Sequence, residues 1–208
     1  MKAFARTDRY LIAAATLVAV LALGATGWIL ALKLGENETM AGPGLVVMTS
    51  GVGGPFALVD HRGRAVTEAD FAASPALIYF GYSFCPDICP TTLQTMAAAL
   101  DSDAARAKGA TGLFITVDPE RDTVAQLADY VPLFHPDLVG LTGSEDTIER
   151  AARGFRVYYK LRKDIDPESY PVDHSSYVYL MDRGWRLVGV FRHDATAEDM
   201  AAAIKRLS

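Results

Sequence analysis

The sequence predicts a three-layer α/β domain, and three observations carry that expectation. Two unbroken apolar runs, residues 76–82 (ALIYFGY) and 112–117 (GLFITV), read as strands buried on both faces. Helix-forming stretches follow each run, so the middle of the chain alternates strand, helix, strand, helix. The chain then closes with two short strands around Asp182-Arg183-Gly184 and a last helical stretch.

Taken in order, the chain starts with an apolar segment. Residues 11–32 (LIAAATLVAVLALGATGWILAL) carry no charge. As a helix they would be about 33 Å long, enough to cross a hydrocarbon core of roughly 30 Å. A cleaved signal peptide is the competing reading, but its apolar region usually runs only about 7–15 residues. Lys2, Arg6 and Arg9 precede the run and Glu36 and Glu38 follow it. The positive-inside rule therefore places residues 1–10 in the cytoplasm, 11–34 as a single-pass anchor and the rest across the membrane. A bacterial inner membrane and a periplasmic domain are the expectation. Residues 35–55, rich in Gly and small polar residues, read as a linker.

The domain proper is expected over residues 56–208. Residues 56–60 and 65–67 form a hairpin around His61-Arg62-Gly63-Arg64. Helix is expected over 91–107 and 123–133, with a short strand over 138–141. A further helix covers 144–156, with Ser144 as N-cap and acids in its first turn. Strands over 176–181 and 186–191 precede a closing helix over 196–207, which Thr196 caps with Asp199 three residues on.

Composition narrows the function. The chain of 208 residues has 20 basic and 25 acidic side chains. Removing the four basic residues and one acidic residue before Glu36 leaves 16 basic against 24 acidic, a net of −8. An acidic body lacks the clustered cations of a nucleic-acid surface, so no nucleic-acid partner is expected. Two cysteines exclude a disulfide-dense scaffold and any site built on four thiolates.

Those two cysteines carry the chemistry. The stretch Tyr79-Phe80-Gly81-Tyr82-Ser83-Phe84-Cys85-Pro86-Asp87-Ile88-Cys89-Pro90 leaves the strongest strand and enters a helix. Ligand sites of open α/β sheets gather beyond such strand ends. Pro90 suits the first helical position, which makes Cys89 the expected N-cap and leaves Cys85–Ile88 as a loop. A helix N-terminus favours the thiolate. Three intervening residues let the sulfurs meet around one metal ion or as a disulfide. Two structural thiols or a structural disulfide are the plainer alternatives. Two thiolates suit copper(I), with zinc as the other metal, and structural zinc wants four ligands. Among four histidines, His61 reads as a solvated turn residue, and His135 and His193 as surface or loop-packing residues. His174 precedes the strand YVYLM at an end of the sheet, on a loop from which it could reach the cysteines.

These segments, with Gly53-Gly54-Pro55-Phe56, Leu58, Asp60 and Gly63, then Val117-Asp118-Pro119-Glu120-Arg121-Asp122-Thr123, and then Val172-Asp173-His174-Ser175, resemble the Sco/SenC family over about residues 50–207. The resemblance implies a thioredoxin-like domain with an added amino-terminal hairpin, behind a transmembrane helix. It implies that Cys85, Cys89 and His174 bind one copper ion, as copper(I) or copper(II). Asp118 matches an acidic position near the family's metal site and reads equally as a helix-initiating Asp-Pro turn.

Two functions follow. The first is a copper metallochaperone that serves the copper A centre of a haem–copper cytochrome oxidase. Its partners would be the oxidase's copper-bearing subunit, the inner membrane and another periplasmic copper chaperone as donor. The second is a thiol–disulfide oxidoreductase, with Cys85 and Cys89 as its redox pair, that reduces the cysteines of the oxidase copper site. His174 favours the first, since oxidoreductases of the thioredoxin-like fold carry a proline before that strand. A peroxidase of the peroxiredoxin type wants Pro-x-x-x-Thr-x-x-Cys, which the residues before Cys85 do not supply.

Overall fold

The computed structural model describes residues 19, 21, 24, 45–46, 51–167 and 169–207. The chain divides into two compact units, Met1–Met40 and Ala41–Ser208. In the first, positions 19, 21 and 24 are helical. The rest of the expected anchor (11–34), the expected cytoplasmic residues 1–10 and residues 35–44 and 47–50 of the expected linker lie outside the described residues. Among the described residues, no helix is long and apolar enough to cross a membrane.

The second unit is built on an eight-stranded sheet of order β1-β10-β9-β4-β5-β6-β2-β3. Its strands are β1 (Leu45–Val46), β2 (Ala57–Asp60), β3 (Ala65–Thr67), β4 (Ala76–Gly81), β5 (Thr111–Thr116), β6 (Leu138–Thr142), β9 (Val178–Met181) and β10 (Leu187–Phe191). Strands β4, β5 and β6 run parallel, and β9 and β2 flank them antiparallel. The two apolar runs of the sequence are thus the sheet's centre, where both faces are covered. Every residue of β4 is buried. A separate two-stranded ribbon pairs β7 (Tyr159–Leu161) with β8 (Val172–His174).

The helices are α1 (Ile88–Leu100), α2 (Asp103–Lys108), α3 (Val124–Tyr130), α4 (Glu145–Gly154) and α5 (Ala197–Arg206). Alternation along β4 shows how they form two outer layers. Tyr79 points to the α1 side and meets Cys89 there, while Phe80 points the other way and packs on Phe155, just past α4, at 5.3 Å between ring centroids. Helices α2 and α5 pack with α1. The three-layer α/β expectation and the added hairpin, β2–β3 on the edge of β6, both hold.

Several expectations need correction. The helix expected over 91–107 is two helices, because Ser102 accepts from the Ala105 amide and starts a new one after Asp101. The helix expected to reach Leu133 ends at Tyr130 in a 3-10 turn, Val131–Leu133, with Pro132 at its start. Part of the expected linker is structured. Leu45–Val46 pairs with β10, Val52 is buried, and the Gly53 amide donates to the Gly154 carbonyl at 2.9 Å. His61 is not solvated: it is buried at the hairpin tip, and its Nδ1 accepts from the Gly140 amide at 3.2 Å. Burial holds its pKa below the usual histidine range, so the ring stays neutral as that acceptor.

Candidate metal centre

The centre lies beyond the carboxyl end of β4. The strand's last carbonyl, Gly81, accepts from the Val117 amide at 2.8 Å, and the chain then turns through Tyr82 to Cys85. Asp87, not Cys89, is the N-cap of α1, which corrects the expected start of the helix. Cys89 is the second helical residue and Pro90 the third. A proline fits there because amides of the first turn have no partner within the helix. The Cys89 amide turns instead toward Cys85, donating to its Sγ at 3.4 Å.

Asp122 staples this loop to the sheet. Its carboxylate, fully buried, accepts from the Ser83 amide at 3.0 Å, from the Ser83 hydroxyl, and from Thr116 Oγ1 at 2.6 Å. Gln126 Nε2 donates to Ser83 Oγ at 3.1 Å. Burial pushes the Asp122 carboxyl pKa up, opposed by the hydrogen bonds it accepts.

His174 arrives from the other side, as the last residue of β8 and not on a free loop. Its Nδ1 lies 3.0 Å from the Ser175 carbonyl oxygen. A carbonyl only accepts, so that bond puts the proton on Nδ1 and turns the Nε2 lone pair inward. Nε2 stands 3.4 Å from Cys89 Sγ. The ring forms T-shaped pairs with Tyr79 and Tyr82, at centroid distances of 6.0 and 5.9 Å.

The three atoms converge. Cys85 Sγ, Cys89 Sγ and one His174 ring nitrogen all lie within 4.8 Å of one another. Both cysteines are free thiols. The pair shares its charge unequally. Hydrogen bonding from Cys89 holds the Cys85 thiol down to about 3 against the cost of burial, with backbone amides adding to the effect. Cys85 beside it and then burial push the Cys89 thiol up. The two thiols titrate as a pair, with the charge favoured on Cys85. Exposure follows the same order, 9% for Cys85 and 0% for Cys89.

Asp118 is placed differently. It is fully buried, and its carboxylate accepts from the Tyr170 hydroxyl at 2.9 Å and pairs with Arg121. Asp118 is not in the group formed by the three ligand atoms. Arg121 carries the link, lying 3.7 Å from the Tyr170 ring centroid, 5.1 Å from Phe84 and 5.6 Å from Tyr82. His61, His135 and His193 do not join the centre. The sequence reading missed Tyr79 and Tyr82 as partners of His174, because a tyrosine in an apolar strand looks like core. It missed the Asp122 staple because its partner Ser83 is 39 residues away.

The comparisons agree with this geometry. Residues 48–208 match the family model SCO1/SenC. Protein sco1 of Schizosaccharomyces pombe is 44% identical over 160 residues, covering 74% of this chain and 59% of that protein. Protein SenC of Rhodobacter capsulatus is 41% identical over 153 residues, covering 74% of this chain and 69% of that protein. Among solved structures, Bradyrhizobium japonicum ScoI with copper bound superposes with a TM-score of 0.69 at 41% identity, covering 76% of this chain and 99% of that one. Arabidopsis thaliana ScoI with copper bound gives 0.68 at 40% identity, covering 74% and 96%. With a family model matched over most of its length and these identities across its folded unit, the chain belongs to the SCO1/SenC family.

Proposed function

We propose that this chain is a copper chaperone whose Cys85, Cys89 and His174 hold one copper ion as cargo. Its task would be to assist assembly of the copper A centre of a haem–copper cytochrome oxidase. The observation that carries the reading is the convergence of two sulfurs and one ring nitrogen within 4.8 Å, with the imidazole already in the tautomer a metal needs. The donor set decides between metals. Two thiolates and an imidazole suit copper(I), which accepts few ligands, and the nitrogen also serves copper(II). Structural zinc would want a fourth protein ligand, and the group among the described residues has three. The relatives solved with copper bound support the same choice.

The cargo can leave. Cys85 and His174 line a cavity of about 370 Å³ with Tyr82, Pro86, Ile88 and Val172, open to an incoming ligand, whereas Cys89 lies beneath it. The acceptor would be the oxidase's copper-bearing subunit and the donor another periplasmic copper chaperone. Asp118 acts from outside the ligand shell, bracing Phe84 and Tyr82 through Arg121. Residues 11–34 would anchor the chain in a bacterial inner membrane with the domain in the periplasm, supported by the uncharged run and the cations ahead of it. Titrating the full-length protein with copper(I) under reducing conditions should give one copper per chain, lost in Cys85→Ala. Failure of the wild-type protein to bind would refute the reading.

One observation favours a second activity of the same pair. Two free thiols lie side by side, Cys85 on the surface cavity and Cys89 wholly buried, the arrangement of an attacking and a resolving thiol. Cys85 would attack a target disulfide, forming a mixed disulfide and releasing one target thiolate. Cys89 would then resolve it, leaving a Cys85–Cys89 disulfide and a reduced target, so two electrons pass to the target. The oxidase's copper-site cysteines, as a disulfide, are the proposed oxidant.

A further inference from the structure

We propose that Tyr79 is a positioning residue for the metal centre: its hydroxyl fixes the Cys89 sulfur and makes Cys89 the retained ligand. The inference rests on the copper reading above and adds a residue to it. Tyr79 sits in mid-sheet, paired with Phe114 on one side and Val178 on the other, and is wholly buried. A tyrosine hydroxyl so deep needs a partner, or the strand would carry phenylalanine at lower cost. The hydroxyl donates to Cys89 Sγ at 3.6 Å, within reach for a large, soft acceptor, and the Thr92 side chain meets the same hydroxyl.

The neighbouring residue makes the contact fit. Gly81 lies two residues on, on the same face of β4. A Cβ there would stand 2.9 Å from Tyr79 Cε1, 3.0 Å from Cys89 Sγ and 3.0 Å from Phe114 Cε2. Glycine thus leaves the space that ring and sulfur fill. The same ring forms a T-shaped pair with His174 at 6.0 Å between centroids, so one rigid side chain contacts two of the three ligands.

The consequence is a difference between the sulfurs. Cys85 takes a hydrogen bond from the Cys89 backbone amide, has the Tyr82 hydroxyl beside it, and opens onto the surface cavity. Cys89 takes its bond from a side chain locked in the sheet. Hydrogen bonds to a ligating sulfur hold its direction and draw charge from it, and losing such a partner typically costs about 10–100-fold in metal affinity.

The test is Tyr79→Phe in the full-length protein, which keeps the ring and deletes the oxygen. Copper(I) retention against a competing chelator should fall by about 10–100-fold. The sulfur-to-copper(II) charge-transfer band should move to longer wavelength, since the sulfur regains charge. Should Tyr79→Phe not fold, Gly81→Ala keeps the hydroxyl but wedges ring and sulfur apart, and should move the band the same way. A folded variant with wild-type retention and band overturns the proposal. A metal-free readout separates the two claims. In apo wild-type protein, the Tyr79 hydroxyl proton should give a slowly exchanging NMR signal with contacts to the Cys89 β protons. If the wild type binds no copper, the chaperone reading fails, and this signal alone decides the Tyr79 contact: its presence supports the contact and its absence overturns it.

Discussion

The two arms of the metal centre are built by opposite means. The thiol arm grows out of β4, the most buried strand of the sheet, and Asp122 ties its loop to β5. The imidazole arm is a ribbon of three-residue strands, β7 and β8, with Tyr158 and Asp173 exposed. Its ion pairs, Arg162 with Asp164 and Asp173, lie at the surface, where such pairs contribute little. Local stability follows burial and protected hydrogen bonds, so the ribbon should open more readily than the loop. In the proposed carrier, the core arm would keep the cargo and the peripheral arm would let it go.

The comparison breaks most completely at the buried sulfur. Cys89→Ser replaces the soft, fixed ligand with a hard one and should abolish copper(I) binding, measured as metal retained after desalting. His174→Ala comes next. Two thiolates still satisfy copper(I), so copper(II) binding should weaken far more than copper(I) binding, while Cys85 and Cys89 still form and reduce a disulfide. Equal losses for both oxidation states would mean that the arms are not separable.

Asp122 probes how the thiol arm is held. Its replacement by Ala strands the buried donors of Ser83 and Thr116 and should cost about 2–3 kcal/mol in denaturant unfolding. The Asn variant isolates the charge. Burial raises the folded-state pKa above its unfolded value of about 3.9, so the protonated form favours the folded state. The stability this group contributes is complete below the unfolded pKa and is lost as pH rises through the folded pKa. Relative to wild type, Asp122→Asn should therefore gain stability as pH rises across that window and level off above it. A constant offset between the two proteins would show that Asp122 does not titrate there.

The smallest effect belongs to the ribbon. Ser175→Ala removes the acceptor of the Tyr158 amide and should cost about 1 kcal/mol or less. Hydrogen exchange should speed up in β7 and β8 and stay unchanged from β4 into α1. Equal acceleration in both regions would contradict the division into arms.

Much of this was legible beforehand because the signals are local. The unbroken apolar run of 76–82 marks the central strand, and two cysteines framed by prolines mark the loop beyond it. What escaped depends on distant contacts. Strands β7 and β8 are too short to show a period, so the ribbon that carries His174 has no signature of its own. Cys89 reads as an N-cap because Pro90 suits a first helical position, yet a third position tolerates proline as well. His61 reads as a turn residue because its partner, the Gly140 amide, lies 79 residues away. Nothing in the pattern separates Tyr79 from a core phenylalanine until its oxygen is seen against Cys89.

The most direct test of the central claim is X-ray absorption spectroscopy on the full-length protein loaded with copper(I). One copper per chain with two sulfur neighbours and one nitrogen neighbour is the expected result, the nitrogen being lost in His174→Ala and the copper itself in Cys85→Ala. A copper shell unchanged by either substitution, or no copper retained by the wild-type protein, would contradict it.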